Sequence, residues 1–389
     1  MRIALVEPFL RNTVGHYYSF LKEVKAGFEA AGDSVQLYLP NDAETDLQGE
    51  RILPSQYRYI EGKSYLTKVW DIVSKIVRYR NIFSKIAQKT DAVFITTANS
   101  YHILAALSLS KLRCPIFLYF HTLELSQTRL ARLCRAILNW RFNGANRVFL
   151  IAPFELDPQE IRDKITRAPV SFYSHVPYPL PFFTSFRKRP EVATSPAFCL
   201  GYFGDARLEK NFPRIVDFAL EMQKKYSFII QCHPPVTGVY ENGVRKVVEK
   251  LKRTATERII ALDIPLSEPQ YLEFLNKVSA VLCLYDPIQY KRRVSGILLE
   301  AWCHGKPVIV LRGSWLAEQV EKLGGGIVIE NTETESLEKA VEKIRMNYQR
   351  YVEQAMRAGL SLSEKNNGMA LAMFIRTKLL QHLLKSHDS

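Results

Sequence analysis

The chain predicts an α/β protein built of two doubly wound, Rossmann-like domains, and three observations predict it. It opens on a strand–loop–helix–strand unit: Ile3 to Val6 is a short buried-strand run, Pro8 to Gly15 a loop, Tyr17 to Ala31 a helix and Ser34 to Leu39 a second strand. A new series of strands and helices starts at Phe198. Between the two, Pro177, Pro179, Pro181, Pro190 and Pro196 crowd one stretch, where no long regular element survives. A length of 389 residues is too great for one ordinary core and suits two domains. The expected division is 1–180, 197–365 and a terminal helical segment, 366–389.

Taken in order, the first helix puts Phe20, Leu21, Val24, Phe28 and Ala31 on one face, and Gly32 ends it. Gly15 and His16 sit where loop becomes helix. Asp42 to Gly62 is polar and reads as an irregular excursion. From Lys63 to Lys89, apolar residues including Leu66, Trp70, Val73, Val77, Phe83 and Ile86 recur at three and four. Lys and Arg fill much of the rest, against a single acid, Asp71. This basic amphipathic pattern suits an anionic membrane surface, and equally a core helix with a solvated basic face. Ala92 to Thr96 and Pro115 to Phe120 are strands, with a helix from Tyr101 to Leu112 between them. His121 follows the second strand directly, at the carboxyl end, where parallel sheets bind ligands. A histidine there can donate to a sugar hydroxyl or a phosphate, or bond a loop carbonyl. Thr128 to Asn143 is a second basic helix. A strand from Arg147 to Ile151, a helix near Asp157 to Ile165 and a closing strand, Val170 to Tyr173, complete the half.

In the second half, Phe198 to Phe203 opens a new sheet and Gly204 ends its first strand. Asp205 to Asn211 is a loop and Phe212 to Lys224 a helix. Arg207 and Lys210 stand at the junction; two fixed cations beside a helix start suit a diphosphate. Phe228 to Gln231 is a strand whose exit carries His233, either near a nucleotide or as a loop-structuring residue. Helices at Val244 to Lys252 and Ser267 to Val278 alternate with strands at Ile259 to Ala261 and Ala280 to Leu284. Ser295 to Leu311 then reads SGILLEAWCHGKPVIVL. Ser295 and Gly296 open a helix, Gly305 and Pro307 close it, and Val308 to Leu311 is a buried strand. Such a helix start gathers free N–H groups at the positive end of a dipole, a seat for phosphate. Glu300 lies about one turn further in, placed for ribose hydroxyls. Lys291, Arg292 and Arg293 precede Ser295 as a cationic pocket, or as plain surface charge. Ser314 to Leu323, Glu335 to Ala358 and Met369 to Leu384 are helices, with a last strand at Ile327 to Glu330.

Apolar residues make up 47% and charged residues 24%, which is globular composition. Lys and Arg exceed Asp and Glu by 53 − 39 = 14, which favours anionic partners: nucleotide phosphates, nucleic acid or an acidic membrane face. Met1-Arg2 runs straight into a strand with no signal-like apolar region, and no apolar run spans a bilayer. Six scattered cysteines form no Cys-x-x-Cys pair, so neither zinc nor disulfides are expected. The expectation is a cytoplasmic protein, peripheral at the inner membrane face.

The stretch GILLEAWCHGKPVIV resembles the donor-site signature of retaining GT-B glycosyltransferases, where a helix bearing Glu-Ala precedes Gly-x-Pro-Val. GDARLEKNF is similar to that family's Gly-Arg-…-Glu-Lys-Gly loop, with the Arg displaced, Asp205 in its place and Asn211 replacing the Gly. Arg292 stands where the family usually carries an earlier Glu. The resemblance implies two domains facing a cleft, with the last helix returning to the first domain. It implies sugar transfer from a nucleotide-sugar, retaining and metal-independent, with no cofactor beyond the donor itself. It assigns Lys210, Arg207, Gly204, Ser295 and Gly296 to the donor's phosphates, Glu300 to its ribose and His121 to the transferred sugar. Gly15 and His16 let sugar or phosphate approach the main chain, and Arg293 neutralises the leaving diphosphate. The acceptor expected is a saccharide or lipid-linked glycan of envelope or polysaccharide synthesis. Two other readings stay open: a nucleotide-sugar epimerase of the same fold, and a non-catalytic binder of anionic lipid or nucleic acid. No zinc-finger or aromatic RNA-binding signature supports a nucleic-acid partner.

Overall fold

The computed structural model describes residues 1–13, 15–55, 65–109, 114–121, 147–155, 157, 159, 170–179, 198–235 and 238–387. The chain forms two compact units, Met1–Pro181 with Asn366–Ser389, and Phe182–Lys365.

Among the described residues, unit 1 holds seven parallel strands: β1 (Arg2–Val6), β2 (Ser34–Pro40), β3 (Glu50–Leu53), β4 (Ala92–Ile95), β5 (Ile116–Tyr119), β6 (Val148–Ile151) and β7 (Ser171–Tyr173). Their order is β3-β2-β1-β4-β5-β6-β7, so the strand order reverses at β1. Leu5 pairs with Leu37 on one side and Phe94 on the other. Both faces of the sheet are covered, as the unbroken apolar runs require. Val93 and Ile95 pack toward α2 (Tyr65–Ile86) and α3 (Ser100–Leu107). Phe94, between them, meets Phe28 of α1 (His16–Ala30) on the opposite face.

Among its described residues, unit 2 holds six parallel strands: β8 (Cys199–Tyr202), β9 (Ser227–Gln231), β10 (Ile259–Leu262), β11 (Ala280–Cys283), β12 (Val308–Leu311) and β13 (Gly326–Ile329). Their order is β10-β9-β8-β11-β12-β13, with the reversal at β8. Around them lie α4 (Phe212–Met222), α5 (Val244–Thr254), α6 (Glu268–Lys277), α7 (Gly296–Cys303), α8 (Trp315–Leu323), α9 (Thr334–Met346) and α10 (Tyr348–Lys365). Helix α10 packs on α7: Gly359 lies against the Trp302 backbone, and Trp302 Nε1 donates to Gly325 O at 2.8 Å. The helix that carries Glu300 is thus held from behind by a buried indole.

The last helix, α11 (Gly368–His387), packs along α1 in unit 1. Gly27 and Gly368 meet at the crossing, where backbones touch. Arg376 donates to Ala31 O at 2.7 Å and to the Asp33 carboxylate at 2.6 Å, and the Met1 ammonium pairs with the same carboxylate at 2.9 Å.

The structure corrects several sequence expectations. The excursion from Asp42 to Gly62 contains β3, paired in parallel with β2 at the sheet edge. Only Leu53 of its four residues is buried, so it carries no apolar alternation. The single helix from Glu335 to Ala358 is two, broken at Asn347, whose φ of −120° leaves helical space. Helix α3 stops at Leu107, short of Leu112. The helices expected over Thr128 to Asn143 and near Asp157 to Ile165, and most of the Tyr178 to Pro196 linker, lie outside the described residues.

Candidate active site

At the carboxyl end of β8, Gly204 has φ 102°, a region open to glycine, and its N–H donates to Gln231 Oε1 at 2.7 Å. A Cβ there would sit 2.8 Å from Lys210 Nζ, so glycine lets the ammonium lie against the main chain. The following loop is pinned at its backbone. Tyr202 Oη donates to Asp205 O at 2.8 Å, and Ala206 N–H to His233 O at 2.9 Å. Asn211 takes φ 53° before α4 begins, which explains Asn where the resembled motif has Gly: both tolerate left-handed backbone.

The charged side chains of this loop form one chain of ion pairs. Lys210 Nζ meets Asp205 Oδ1 at 2.5 Å and Arg207 Nε meets Asp205 Oδ2 at 2.6 Å. Arg207 continues to Glu209 at 3.4 Å, and Glu209 to Arg293 at 2.9 Å. Burial would raise the Asp205 carboxyl, but Lys210 and Arg207 hold it down at about 2. Arg293 lies over the Tyr290 ring at 4.8 Å, and Lys210 near Tyr285 at 5.9 Å. Of the Lys291–Arg292–Arg293 run, Arg293 turns into this cluster, and the Lys291 and Arg292 side chains are exposed. His233 lies beside the cluster with its Nδ1–H donated to Pro234 O at 2.6 Å, a loop-structuring bond.

Helix α7 begins as its sequence predicts. Ser295 is an extended N-cap whose Oγ accepts from Leu298 N–H at 3.3 Å. Ser295 also contacts the Tyr285 hydroxyl, which ties the helix start to the ring beside Lys210. Glu300 is pushed up to about 7 by burial, opposed by Tyr271 and reinforced by Glu268. The Tyr271 hydroxyl is buried beside it without a hydrogen bond of good geometry. Tyr271 packs on Phe203 at 5.3 Å, next to Gly204. Gly204, Arg207, Lys210, Arg293, Ser295, Gly296 and Glu300 therefore share one end of the unit 2 sheet.

Unit 1 brings together a second set, also at the strand ends. His121 Nε2 lies 3.0 Å from Thr96 O. A carbonyl only accepts, so that nitrogen carries the proton and Nδ1 is the acceptor. His16 Nε2 then donates to His121 Nδ1 at 3.4 Å, and Tyr178 Oη donates to His16 Nδ1 at 3.2 Å. Desolvation, with His16 beside it, takes His121 well below its usual range. The His121 ring is neutral at pH 7. Gly15, with φ 92°, sits at the start of this helix. The proton of His121 that the sequence offered to a sugar is bonded to the Thr96 carbonyl in this structure.

Sequence reasoning missed Glu7, which is fully buried at the end of β1. The signal was available: an acid straight after an apolar strand, at the ligand end of a parallel sheet. Its carboxyl meets Thr96 Oγ1 at 2.6 Å, Thr97 Oγ1 at 2.7 Å and Phe9 N at 2.7 Å. Burial raises it from 4.5 to about 7 against these bonds. The Thr96 hydroxyl also reaches Val6 O at 3.1 Å, and its one proton cannot serve both. A protonated Glu7 donating to Thr96 Oγ1 resolves the conflict. The folded chain thus holds a proton between pH 4.5 and about 7 that the unfolded chain has lost, so stability falls as pH rises through that window. Glu7→Gln imitates the protonated form: an NH₂ in place of Oε2 donates to Thr96 Oγ1, and to Thr97 Oγ1 once that hydroxyl turns its own proton away. In urea melts the variant is expected to exceed the parent by about 2 kcal/mol at pH 8 and to match it near pH 5. Parallel pH dependences of the two proteins would contradict this.

No family model and no curated protein matches the sequence. Among solved structures, the chain is similar to sucrose-phosphate synthase from Thermosynechococcus elongatus, at 13% identity and TM-score 0.66 over 99% of each chain. It is similar to a glycosyltransferase from Rickettsia africae, at 12% identity and TM-score 0.63 over 99% of this chain and 98% of that one. It is similar to Anabaena HepE in complex with UDP-glucose, at 14% identity and TM-score 0.61 over 98% of this chain and 100% of that one. Two parallel, helix-flanked sheets in one polypeptide, matched along nearly its whole length, give this chain the GT-B fold.

Proposed function

We propose that this protein is a glycosyltransferase that moves a sugar from a nucleoside-diphosphate donor to a saccharide or lipid-linked acceptor, with retention of configuration and without a metal. The observation that carries the reading is the convergence of Arg207, Lys210 and Arg293 beside a capped helix start, with Glu300 one turn deeper. In this reading Lys210, Arg207 and the free N–H groups at Gly296 hold the diphosphate. Glu300 and the Tyr271 hydroxyl buried beside it take the ribose hydroxyls, a match between a buried acceptor–donor pair and a diol. Breaking the sugar–phosphate bond puts charge on the departing diphosphate, and Arg293 neutralises it there. Anabaena HepE, which shares the fold, was solved with UDP and with UDP-glucose, which supports a uridine donor.

The test is a melting-temperature screen with UDP, GDP, ADP, CMP and the glucose conjugates of the diphosphates. One diphosphate is expected to raise the melting temperature well above the monophosphate; no response to any of them would remove the reading. Incubation with donor alone, followed by NMR of the sugar, separates transfer from epimerisation.

One further observation favours a membrane-bound acceptor. Helix α2 buries Tyr79, Phe83 and Ile86 but turns Trp70, Val73 and Val77 outward, with Trp70 72% exposed. Arg78 and Lys85 flank this outer stripe, and its nearest acid, Asp71, is paired with Lys75. The apolar residues that read as one stripe in the sequence are two, and the outer one suits an anionic bilayer surface. Among the described residues no helix is long and apolar enough to cross a membrane. Trp70→Ala with Val77→Glu is expected to abolish flotation with phosphatidylglycerol vesicles while leaving the melting curve in place. Undiminished flotation would show that the stripe does not touch lipid.

A further inference from the structure

We propose that Asp205 is a resident stand-in for donor phosphate: it holds Lys210 and Arg207 in the unliganded protein and gives them up when a diphosphate binds. The inference rests on the reading of unit 2 as the donor site and adds a competing internal anion to it. The ion-pair chain Lys210–Asp205–Arg207–Glu209–Arg293 alternates in sign and sums to a single positive charge. Each Asp205 oxygen sits on a different cation, which is how a bridging phosphate would use the same two groups. The Lys210 and Asp205 side chains are only 12% and 14% exposed, so this is not a weak, solvated surface pair.

The anchoring of the loop decides what can move. The backbone on either side of Asp205 is fixed through Tyr202, Gln231 and His233. Among the described residues, the hydrogen-bond partners of the carboxylate are the two cations. A rotation of one side chain therefore exposes both cations without rearranging the loop. In the resembled motif an arginine occupies this position; here the acid lowers the local charge and keeps three cations from repelling one another in a half-buried site. Asp205 then has two effects on the reaction. It weakens the hold on the donor, and it returns to the cations as the product diphosphate leaves, which favours release.

Calorimetric titration of the full chain and of Asp205→Asn with inorganic pyrophosphate and with UDP tests this. The variant is expected to bind both anions about tenfold more tightly, because the competing charge is gone while the side-chain shape remains. Equal or weaker binding by the variant, with the parent binding normally, would overturn the role of Asp205 and leave the donor site intact. Absence of binding by both proteins would remove the donor-site reading as well. Should Asp205→Asn fail to fold, Glu209→Gln provides the second arm. It releases Arg293 and one arm of Arg207, and is expected to tighten pyrophosphate binding about threefold, with unchanged or weaker binding overturning the proposal.

Discussion

Lys210→Ala is expected to weaken UDP binding by about 100-fold, close to 2.7 kcal/mol. Two effects add. The variant loses a charge-assisted contact to the diphosphate, and it leaves Asp205 Oδ1 without its partner at 2.5 Å. The unpaired carboxylate then repels the phosphate that the lysine would have drawn in. The cluster falls from one net positive charge to none. Lys210→Arg keeps the charge and is expected to recover part of the loss, because a longer planar group does not fit the space beside Gly204. Titration calorimetry on both variants, with melting curves to confirm folding, checks the expectation. Unchanged affinity in a folded Lys210→Ala protein would place the diphosphate elsewhere.

The second large effect concerns the last helix. A Cβ added to Gly27 would lie 2.1 Å from the carbonyl carbon and oxygen of Gly368, and one added to Gly368 would lie 2.0 Å from Glu23 O. Backbone cannot yield as a flexible side chain does, so α1 and α11 must separate. Gly27→Ala gains up to about 1 kcal/mol of helix propensity. The overpacking cost at a backbone contact is expected to outweigh it, for a net loss of about 2 kcal/mol. In a unit of this size that lowers the melting temperature by roughly 4–8 °C. It should also open α11 to protease, since Arg376 would lose its reach to Ala31 O and Asp33. A raised melting temperature would show that the helices do not cross this closely.

Much of this structure was legible in the sequence because its signals are local. The β1–α1–β2 opening, the Ser295 cap and the strand at Val308 each depend on a few neighbouring residues, and each stands where its residues put it. The edge strand β3 was not legible, since an edge strand with one buried residue has no apolar period. The break at Asn347 was hidden because the apolar spacing on either side suits a helix. In the site, residue types and strand-end positions pointed to Arg207, Lys210, Glu300 and His121. Their partners did not follow, because pairing depends on side-chain geometry across distant segments. That Asp205 bridges two cations, that Glu209 reaches Arg293 across 84 positions and that His16 meets His121 across 105 are facts of tertiary structure alone. Glu7 is different: its position after β1 was readable, and only its complete burial shows what it does.

The central claim is that the second unit seats a nucleoside diphosphate on Lys210, Arg207 and the start of α7. A crystal structure of the protein grown with UDP tests it most directly. The account predicts diphosphate oxygens within hydrogen-bond distance of Lys210 Nζ and the Gly296 N–H, the ribose diol on Glu300, and the Asp205 carboxylate turned away from Lys210. UDP bound at another surface, with the Lys210–Asp205 pair still closed, would contradict it.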